Sequence, residues 1–472
     1  MEIYHSVGIE NTDPAPDDFK LERAHVESVT GKWHKNSSWS DTEKQQKTDD
    51  GKTHFQNEEC PKEEYSAARG HEHSKLGADI RRQHTLLSVE QDENGVTVTV
   101  KDPQGVQLHI KGSYLIAADG NRSTVRELLQ IPRQGRGFMQ TIQSVLFRAP
   151  LQQWTRGIVQ FDIDQPNLKA FLTSYSDGRW ALMFKDDIER DKEVLRAAIY
   201  QAVGTNSFPL EIITTANWEL TALVADTFQS GRIFLAGDAA HTLPPNRGGY
   251  GANTGIHDVH NLAWKLAAVL SGQSSAELLE TYDAERRPVA LLRHDQIFVR
   301  ADYKVHLQTA MPAGEKIDDD AMEFGQIYLS KGIIGSDESL PKALKPDEWK
   351  GQPGTHLPHF WVEMNEGCQS SLDLIGSNSW TLLFTSGEWA DAVCQINKRS
   401  RIPLKGIHVG HGVRVVPSGD FSASFGISEN GCVLVRPDGY IAWRLTDLPS
   451  KCQQMLEDIL GQVAFQAGDL AK

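Results

Sequence analysis

The stretch GRIFLAGDAAHTLPPNRGGYGANTGIHDVHNLAWKL, residues 231–266, decides the fold and carries most of the functional information in this chain. Its apolar run RIFLA predicts a short buried strand, which Gly237 and Asp238 follow directly. Two prolines stiffen the next turn, and four glycines fall within residues 248–255. Apolar residues then recur at helical spacing from Asn253 to Leu270. This order predicts a ligand site at the carboxyl end of a sheet strand.

Each part of this stretch suits one part of a flat ligand with a ribose or ribitol chain. Asp238 can accept hydrogen bonds from sugar hydroxyls, and glycines let the backbone approach closely because they lack a Cβ. The predicted helix directs its positive N-terminal end at a ring that becomes anionic. The plain alternative is a loop that only turns a strand into a helix, but such loops rarely combine so much Gly, Pro and Asn beside an Asp.

A second stretch, YLIAADGNRSTVRELL at residues 114–129, has a similar organisation. Asp119 and Gly120 follow an apolar strand-like run, and Arg122 and Arg126 lie at a predicted helix start. Arginine and a helix N-terminus both suit phosphate. Taken alone, a plain Asp-Gly turn before a capped helix is the better interpretation.

The remaining chain reads as several ordered units joined by polar segments. Residues 76–120 have the alternating pattern of successive strands. Residues 140–224 contain further alternating runs, which predict an antiparallel sheet there. Residues 274–304 predict a helix pair interrupted at Pro288, and strand–helix alternation after residue 355 predicts a small α/β module. Residues 30–64 are polar and almost free of aliphatics, so we expect them to be disordered.

Together, the two stretches closely resemble the D-G and G-D motifs of the class A flavin monooxygenases, the FAD-dependent aromatic hydroxylases. The resemblance rests on LIAADGNRSTVR and on GRIFLAGDAAHTLPPNRGGYGANTGIHDVHNLAWKLAAVLSG with LLETYDAERRPVA. PPNRGGYGANTGIHD looks most like the branch that hydroxylates aromatic polyketides and related phenols. GCVLVRPDGYIAWRL is similar to the end of the thioredoxin-like domain of this branch.

The resemblance implies an α/β fold in three parts. These are an FAD-binding Rossmann-like domain truncated at its N-terminus, an inserted antiparallel-sheet substrate domain, and a C-terminal thioredoxin-like α/β domain. The expected boundaries are residues 1–138 and 225–312 for the two parts of the FAD-binding domain, 139–224 for the substrate domain, 313–354 for a linker, and 355–472 for the thioredoxin-like domain.

The resemblance also implies a reaction, in which NAD(P)H reduces FAD and O2 then oxygenates an aromatic, phenolic ring of a polyketide-like secondary metabolite. Asp238 is expected at the ribityl and pyrophosphate groups, Pro245 over the flavin ring, and the glycine-rich turn along the ring's N1 edge. No catalytic base is implied, because the substrate pocket varies within the family. The residues expected to bind the cofactors are Gly237, Asp238, Pro245, Gly249, Gly251, Ala252, Asn253, Asp119, Gly120 and Arg126.

One landmark of the family is missing from the sequence. The family opens with a βαβ unit that bears G-x-G-x-x-G and an acidic residue about 20 positions on; GGYGANTG and GHGVRV do not fit this pattern. Three explanations stay open: a gene start placed too late, a degenerate paralogue, and a partner or second chain that completes the sheet. The alternative function is therefore a truncated, non-catalytic paralogue that keeps only a small-molecule or partner-binding role.

Composition narrows the partners and the compartment. The formal charge of −15 disfavours nucleic acid and anionic membranes, so we expect a small aromatic substrate and O2, with a homodimer left open. No signal peptide or long apolar run is visible, and the five cysteines form no C-x-x-C pair, which predicts a cytoplasmic protein. His71, His73 and His84 lack a spaced carboxylate, so no metal site is expected. Hydroxylation and a Baeyer–Villiger-like oxygenation both stay open as outcomes.

Overall fold

The computed structural model of the chain describes Ile3, residues 20–38 and residues 76–466, apart from residues 176, 185, 187, 246–249, 300–314, 365–366, 377 and 417–420. In chain order the described strands are β1 (Lys20–Val26), β2 (Trp33–Ser38), β3 (Thr85–Gln91), β4 (Val96–Lys101), β5 (Gln107–Gly112), β6 (Leu115–Ala117), β7 (Arg133–Arg148), β8 (Ile158–Gln165), β9 (Leu168–Ser174), β10 (Arg179–Phe184), β11 (Glu211–Ala225), β12 (Gln229–Ser230), β13 (Ile233–Leu235), β14 (His241–Thr242), β15 (Trp361–Met364), β16 (Gly367–Ser370), β17 (Trp380–Phe384), β18 (Leu404–His408), β19 (Arg414–Val416), β20 (Cys432–Val435) and β21 (Ile441–Leu445).

Helices alternate with these strands, which confirms the predicted α/β class. The α-helices of the described residues are α1 (Thr124–Leu128), α2 (Gln152–Thr155), α3 (Lys192–Val203), α4 (Tyr250–Leu270), α5 (Thr281–Val299), α6 (Asp319–Phe324), α7 (Gly387–Asn397), α8 (Phe421–Phe425) and α9 (Cys452–Val463). Short 3-10 turns lie at Gly237–Ala239, Ala276–Glu280 and Ser371–Leu374.

The largest sheet has eight strands in the order β14-β11-β7-β10-β9-β8-β1-β2, and its pairs are antiparallel except β1 with β8. Helix α3 covers one face, because its residues Leu195, Ile199 and Val203 are buried in the same core as Phe161 and Leu182. Asp191 caps the start of this helix by accepting a hydrogen bond from the Val194 amide. The antiparallel sheet predicted for this region is therefore present.

Strands β1 and β2 correct two expectations. We assigned residues 1–138 to the FAD-binding domain and expected residues 30–64 to be disordered, but β1 pairs with β8 and β2 pairs with β1. The physical reason is Trp33, whose indole donates to the Val29 carbonyl at 2.9 Å and packs edge-on against Phe161. Residues 39–64 lie outside the described part of the chain.

The motif strands form a separate sheet in the order β12-β13-β6, in which β13 and β6 run parallel. Helices α4 and α5 cover it, with Phe234 of β13, Leu262 of α4 and Tyr282 of α5 in one buried core. In the described sheet β6 is an edge strand, and Ile116 in its middle is 44% exposed. Both apolar runs that precede the Asp-bearing turns are therefore strands, as predicted.

Helix α5 corrects a third expectation, since Pro288 lies inside one continuous helix and does not separate two. Proline removes one backbone hydrogen bond and weakens a helix. Here Tyr282, Val289 and Ile297 are all buried, so packing along the whole length of α5 offsets that loss.

The described part of the expected linker, from residue 315 to residue 354, packs against the rest of the molecule. Met322 shares a core with Ile297 of α5, and Tyr328 shares one with Val289. The Trp349 indole donates to the Gly325 carbonyl at 2.7 Å. These buried side chains make the segment an integral layer between the flanking units.

The C-terminal unit is an α/β module, as expected. Its main sheet has the order β18-β17-β20-β21, with β17 and β18 parallel and the other two pairs antiparallel. Helices α7 and α9 pack on this sheet, and Trp264 of α4 joins the same core by meeting Trp380 edge-on at 5.9 Å. The module is therefore fixed directly to the helix that follows the glycine-rich turn. Among the helices that the structure describes, none is both long and apolar enough to span a membrane.

The strand that leads into the Gly237 turn is anchored by one buried phenol, which gives a first prediction. The Tyr282 hydroxyl donates to the Leu235 carbonyl at 2.7 Å, and Tyr282 is fully buried. Tyr282→Phe is expected to lower the free energy of unfolding by about 1–3 kcal/mol, because that carbonyl loses its buried donor. Urea unfolding measures the change. Tyr114→Phe is the matched control, since Tyr114 also packs on Phe234 but is only partly buried; equal stability losses in the two variants would contradict the assignment.

Candidate functional site

The fold brings the two Asp-bearing turns to one edge of the motif sheet. Strands β6 and β13 pair in parallel register, with Leu235 opposite Ala117. The Ala236 amide continues this pairing by donating to the Ala117 carbonyl at 3.0 Å. Because parallel strands end at the same edge, Asp119 and Asp238 emerge side by side, and both are exposed.

The turn after β13 lies directly on helix α4. Gly237 has a φ of +59°, which favours glycine, and it begins a 3-10 turn that contains Asp238. A Cβ built on Gly255 of α4 would lie 3.0 Å from the Gly237 Cα. The two glycines therefore allow a backbone-to-backbone contact that any larger residue at position 255 would push apart.

Helix α4 presents its N-terminal end next to this turn. The helix begins at Tyr250, so Gly251, Ala252 and Asn253 occupy its first turn, where backbone amides lack helical acceptors. Ala252 and Asn253 are exposed, and so is Pro245 in the preceding segment. Gly249, which was also predicted to bind the cofactor, lies outside the described residues.

Arg126 joins the two turns from behind. It is only 3% exposed, and its Nη1 donates to the Ala239 carbonyl at 2.9 Å, while Nη2 donates to the Asn121 carbonyl at 3.1 Å. Ser123 caps α1 by accepting from the Arg126 amide, and Asp119 accepts a further hydrogen bond from the Val125 amide at 3.2 Å. Gly120, with a φ of +84°, makes the bend between them. Residues 119–126 therefore both lie beside the turn that contains Asp238 and hold it in place through Arg126.

Asp258 is a functional residue that our sequence analysis missed. Its Oδ2 accepts hydrogen bonds from the Gly237 amide at 3.2 Å and from His241 Nε2 at 2.7 Å, and its Oδ1 accepts one from Arg286 Nε at 2.8 Å. Burial opposes ionisation, but His241 and Arg286 hold the pKa of Asp258 below its ordinary value. Its position one turn after Thr254 and one turn before Leu262, on the buried side of α4, was the available indication.

A second arginine on α5 also reaches the start of α4. Arg293 is 1% exposed, and its Nη1 donates to Thr254 Oγ1 at 2.8 Å while its Nη2 donates to the Met322 carbonyl at 3.1 Å. Its guanidinium also lies 5.3 Å from the centre of the Tyr250 ring. Helix α5 therefore restrains the first turns of α4 through two of its residues, Arg286 and Arg293, which lie two turns apart on α5.

A cluster of buried charges lies where α4 and α5 meet the C-terminal module. Glu285 accepts hydrogen bonds from Arg436 at 2.6 and 2.9 Å, from Lys265 at 2.8 Å and from Ser330 at 2.7 Å. Arg436 also binds Asp438. Burial lowers the pKa of Lys265 to about 8. Burial would raise the pKa of Glu285, but Arg436 and Lys265 hold it well below its ordinary value.

The comparisons with known proteins agree with this geometry. The FAD-binding domain family matches residues 1–295, and the C-terminal domain family of the aromatic-ring hydroxylases matches residues 350–463. The 4-methyl-5-nitrocatechol 5-monooxygenase of Burkholderia sp is 36% identical, over 82% of this chain and 75% of that protein. The tetracenomycin A2 monooxygenase-dioxygenase of Streptomyces glaucescens is 33% identical, over 84% of this chain and 74% of that protein.

Solved structures give the same result. A ternary complex of aklavinone-11 hydroxylase with FAD and aklavinone superposes with a TM-score of 0.86, at 28% identity, over 98% of this chain and 90% of that one. The rebeccamycin biosynthetic enzyme RebC with reduced flavin superposes with a TM-score of 0.75, at 27% identity, over 98% of this chain and 89% of that one. This chain belongs to the FAD-dependent aromatic-ring hydroxylases, which are monooxygenases, and the non-catalytic alternative is not favoured.

The residues at the sheet edge fit the flavin half of FAD. Gly237 and Gly255 let the turn contact α4 through backbone atoms, Asp238 presents an exposed carboxylate, and α4 adds its N-terminal end. Within the described part of the chain, no group of three His, Cys, Asp or Glu side chains has the arrangement of a metal site.

The contact between the two glycines gives a second prediction. Gly255→Ala is expected to lower stability although alanine favours helices, because its Cβ would meet the Gly237 backbone at 3.0 Å. On the same helix, the Cβ of Gly251→Ala would meet, among the described residues, only the Leu243 carbonyl at 3.5 Å, so this variant should be neutral or gain up to about 1 kcal/mol. Thermal unfolding of both variants tests this. A Gly255→Ala protein at least as stable as Gly251→Ala would contradict this prediction, because it would show that the Gly237 turn moves away from the added Cβ without loss of stability.

The buried carboxylates give a third prediction, on pH. The pKa values of Asp258, Glu285 and Asp438 are lower in the folded chain, so the unfolded chain binds more protons in acid. The free energy of unfolding should therefore fall as the pH drops below about 4.5, by up to roughly 4 kcal/mol per pH unit when all three take part. Urea unfolding at successive pH values measures this slope.

Glu285→Gln should make that acid slope shallower by about 1.4 kcal/mol per pH unit, because one of the protons is no longer taken up on unfolding. Glu277→Gln, an exposed change in the 3-10 turn before α5, is the control and should leave the slope unchanged. Equal slopes for Glu285→Gln and the unaltered protein would rule out Glu285 as one of the groups that titrate.

Proposed function

We propose that this chain uses FAD and NAD(P)H to oxygenate a phenolic ring of a polyketide-like secondary metabolite. The observation that carries the proposal is the convergence of Asp119, Asp238 and the N-terminal end of α4 at one edge of the motif sheet. The chemistry that bound FAD supplies is acceptance of reducing equivalents from NAD(P)H and activation of O2 for insertion of one oxygen atom. The chain itself supplies placement, charge stabilisation and shielding.

Each residue at this edge has a proposed role. Asp238 accepts hydrogen bonds from the ribityl hydroxyls, because its carboxylate is exposed at the strand end. Gly251, Ala252 and Asn253 direct backbone amides at the N1 edge of the flavin ring, where the helix dipole stabilises negative charge. Pro245 borders the ring, and Gly249 is proposed from the resemblance alone.

The remaining predicted residues act less directly. Gly237 lets the turn contact α4 and so places Asp238. Asp119 and Gly120 shape the neighbouring turn, and Arg126 holds the two turns together through the Ala239 and Asn121 carbonyls. We propose that Arg126 contributes to binding of FAD and NAD(P)H through this support, because both Nη atoms already donate to carbonyls.

The substrate class follows from the relatives and from the large sheet. By their names, three relatives act on tetracenomycin A2, on aklavinone and on 4-methyl-5-nitrocatechol, and a further relative is a putative polyketide hydroxylase. We propose that the ring binds to the substrate domain, residues 139–224, which contributes most of the eight-stranded sheet and whose long strand β11 pairs with β7 and with β14, the strand that follows the Gly237 turn. Residues 225–312 then complete the FAD-binding domain, residues 313–354 connect it, and residues 355–472 form the thioredoxin-like domain.

We propose that the protein is cytoplasmic. We further propose that it forms a homodimer. The support for the compartment is that Cys368, Cys394, Cys432 and Cys452 are free thiols. The dimer rests only on the resemblance, and sedimentation of the purified chain tests it.

A fourth prediction tests the flavin site itself. The chain is expected to bind added FAD and to show a flavin absorption spectrum, and Asp238→Ala should weaken that binding about 10- to 100-fold, the value of one charge-assisted hydrogen bond. Titration by flavin fluorescence measures the affinity. Glu93→Ala is the control and should bind like the unaltered chain, because Glu93 is exposed and its backbone carbonyl accepts from Arg232 at the other end of the motif sheet.

The same preparations test the reaction. Phenolic polyketides should accelerate NADPH oxidation by the FAD-loaded chain, with one oxygen atom of O2 found in the product. A chain that stays colourless at high FAD concentration would refute the proposed function, whereas equal FAD affinity of Asp238→Ala and the unaltered chain would refute only the role of Asp238.

A further inference from the structure

Two neighbouring residues of α5 carry opposite charges and contact different parts of the molecule. Glu285 binds Arg436, which lies on the turn between β20 and β21 of the C-terminal module. Arg286 points instead to α4, where its Nε donates to Asp258 at 2.8 Å. The pair is buried, with Glu285 and Arg286 each 1% exposed. Two adjacent residues of α5 therefore contact the C-terminal module and helix α4, respectively.

Arg286 is held by three contacts in three directions. Besides Asp258, its Nη1 donates to the Tyr328 hydroxyl at 2.7 Å and its Nη2 donates to the Thr254 carbonyl at 3.1 Å. A guanidinium is planar and rigid, so fixing two of its sides determines where the third one points. The position of Tyr328 therefore helps to set the direction of the bond from Arg286 to Asp258.

Tyr328 depends in turn on the C-terminal module. Its ring stacks on Tyr440, with ring centres 3.9 Å apart and planes 13° apart, and Tyr440 lies just before β21. Both rings are buried in one small core with Val289 of α5. The Tyr328 backbone is also tied down, because its amide donates to the Gly354 carbonyl at 2.7 Å.

Asp258 completes the path to the flavin turn. The same carboxylate that accepts from Arg286 accepts from the Gly237 amide at 3.2 Å, one residue before Asp238. Gly237 also contacts Gly255 of α4 through backbone atoms, so a hydrogen bond from Asp258 and a backbone contact both hold the turn against α4. We name the connected residues Tyr328, Arg286, Asp258 and Gly237 the Arg286 relay.

We propose that Arg286 and Asp258 are positioning residues for the flavin turn, and that the C-terminal module sets their geometry through Tyr440 and Tyr328. The consequence for FAD rests on the proposed function, whereas the hold on the Gly237 turn does not. The C-terminal module thereby contributes to cofactor affinity although its own residues lie behind α4 and α5.

A variant that only lowers the global stability of the protein would also loosen the Gly237 turn. The experiment must therefore separate loss of global stability from loss of the relay. Tyr328→Phe removes the acceptor of Arg286 Nη1 and keeps the ring that stacks on Tyr440. Trp380→Phe perturbs the interface of the same two units, where Trp380 meets Trp264 of α4, and removes no hydrogen bond of the relay. Both changes cost packing or one hydrogen bond, so urea unfolding can identify conditions of equal global stability for the two variants.

A fifth prediction concerns backbone amide exchange in the FAD-free chain, followed by mass spectrometry on peptides that cover residues 233–243. Tyr328→Phe is expected to accelerate exchange in this segment about tenfold at matched global stability, because the carboxylate that holds the Gly237 amide is less well oriented. Arg286→Lys should accelerate exchange at least as strongly, since an ammonium group cannot donate the three hydrogen bonds to Asp258, Tyr328 and Thr254 in the planar geometry of a guanidinium. Trp380→Phe should leave the segment as in the unaltered protein.

Exchange in Tyr328→Phe that is no faster than in Trp380→Phe would overturn the relay. FAD titration of the same proteins then tests the consequence: the relay predicts an affinity about tenfold weaker in Tyr328→Phe than in Trp380→Phe. Accelerated exchange with unchanged FAD affinity would overturn the link between this turn and the cofactor. Failure of every protein to bind FAD, the unaltered chain included, would instead refute the proposed function and leave the exchange result valid for the relay.

Discussion

The buried carboxylate of Asp258 is the interaction on which the site depends. Ionised and shielded from water, it would be strongly destabilising without partners, because removing a charge from water costs several kcal/mol. It is stabilised by a backbone amide, an imidazole and a guanidinium, which come from the Gly237 turn, β14 and α5. A displacement of any one of these three elements leaves a buried charge less well paired, so they are restrained as a unit.

The neighbouring cluster shows the same constraint at the junction with the C-terminal module. Together with the Asp258–Arg286 pair, it places three buried carboxylates (Asp258, Glu285 and Asp438) beside three buried cations (Lys265, Arg286 and Arg436). Each of these six charges has an opposite charge within hydrogen-bond distance, and Arg293 is a further buried cation beside Thr254. A buried ion pair adds little net stability compared with an apolar core, but separating its members is costly. The cluster therefore fixes how the module docks more than it adds to the free energy of unfolding.

The sequence was sufficient for the elements whose pattern is local. Alternation predicted β4 and β5, the apolar runs predicted β6 and β13, and helical spacing predicted most of α4, which begins three residues earlier than expected. The motif residues Asp119 and Asp238 could also be placed at strand ends. Long-range contacts decided what the local pattern could not: β2 is a strand because Trp33 packs on Phe161, and α5 continues through Pro288 because its whole length is buried.

The buried charges escaped prediction for the same reason. A sequence of alternating charges such as that around Glu285 and Arg286 is typical of a solvated helix face, and their partners lie far along the chain, at Arg436 and Asp258. Only Asp258 left a local trace, as an acidic residue within the buried stripe of α4. The supporting layer of a site is thus less visible in sequence than the residues that face its ligand.

Asp258 also connects the Gly237 turn to the large antiparallel sheet, through His241. That histidine lies on β14, where it pairs with Val224 of β11, and the Ala225 amide donates to the Ala240 carbonyl at 2.7 Å. Strand β11 is 15 residues long and reaches into the large antiparallel sheet beside β7. Because Asp258 accepts from His241 on one side and from Arg286 on the other, the position of Gly237 is set jointly by the large sheet and the C-terminal module. A single carboxylate thereby makes the geometry of the flavin turn depend on both units that flank it.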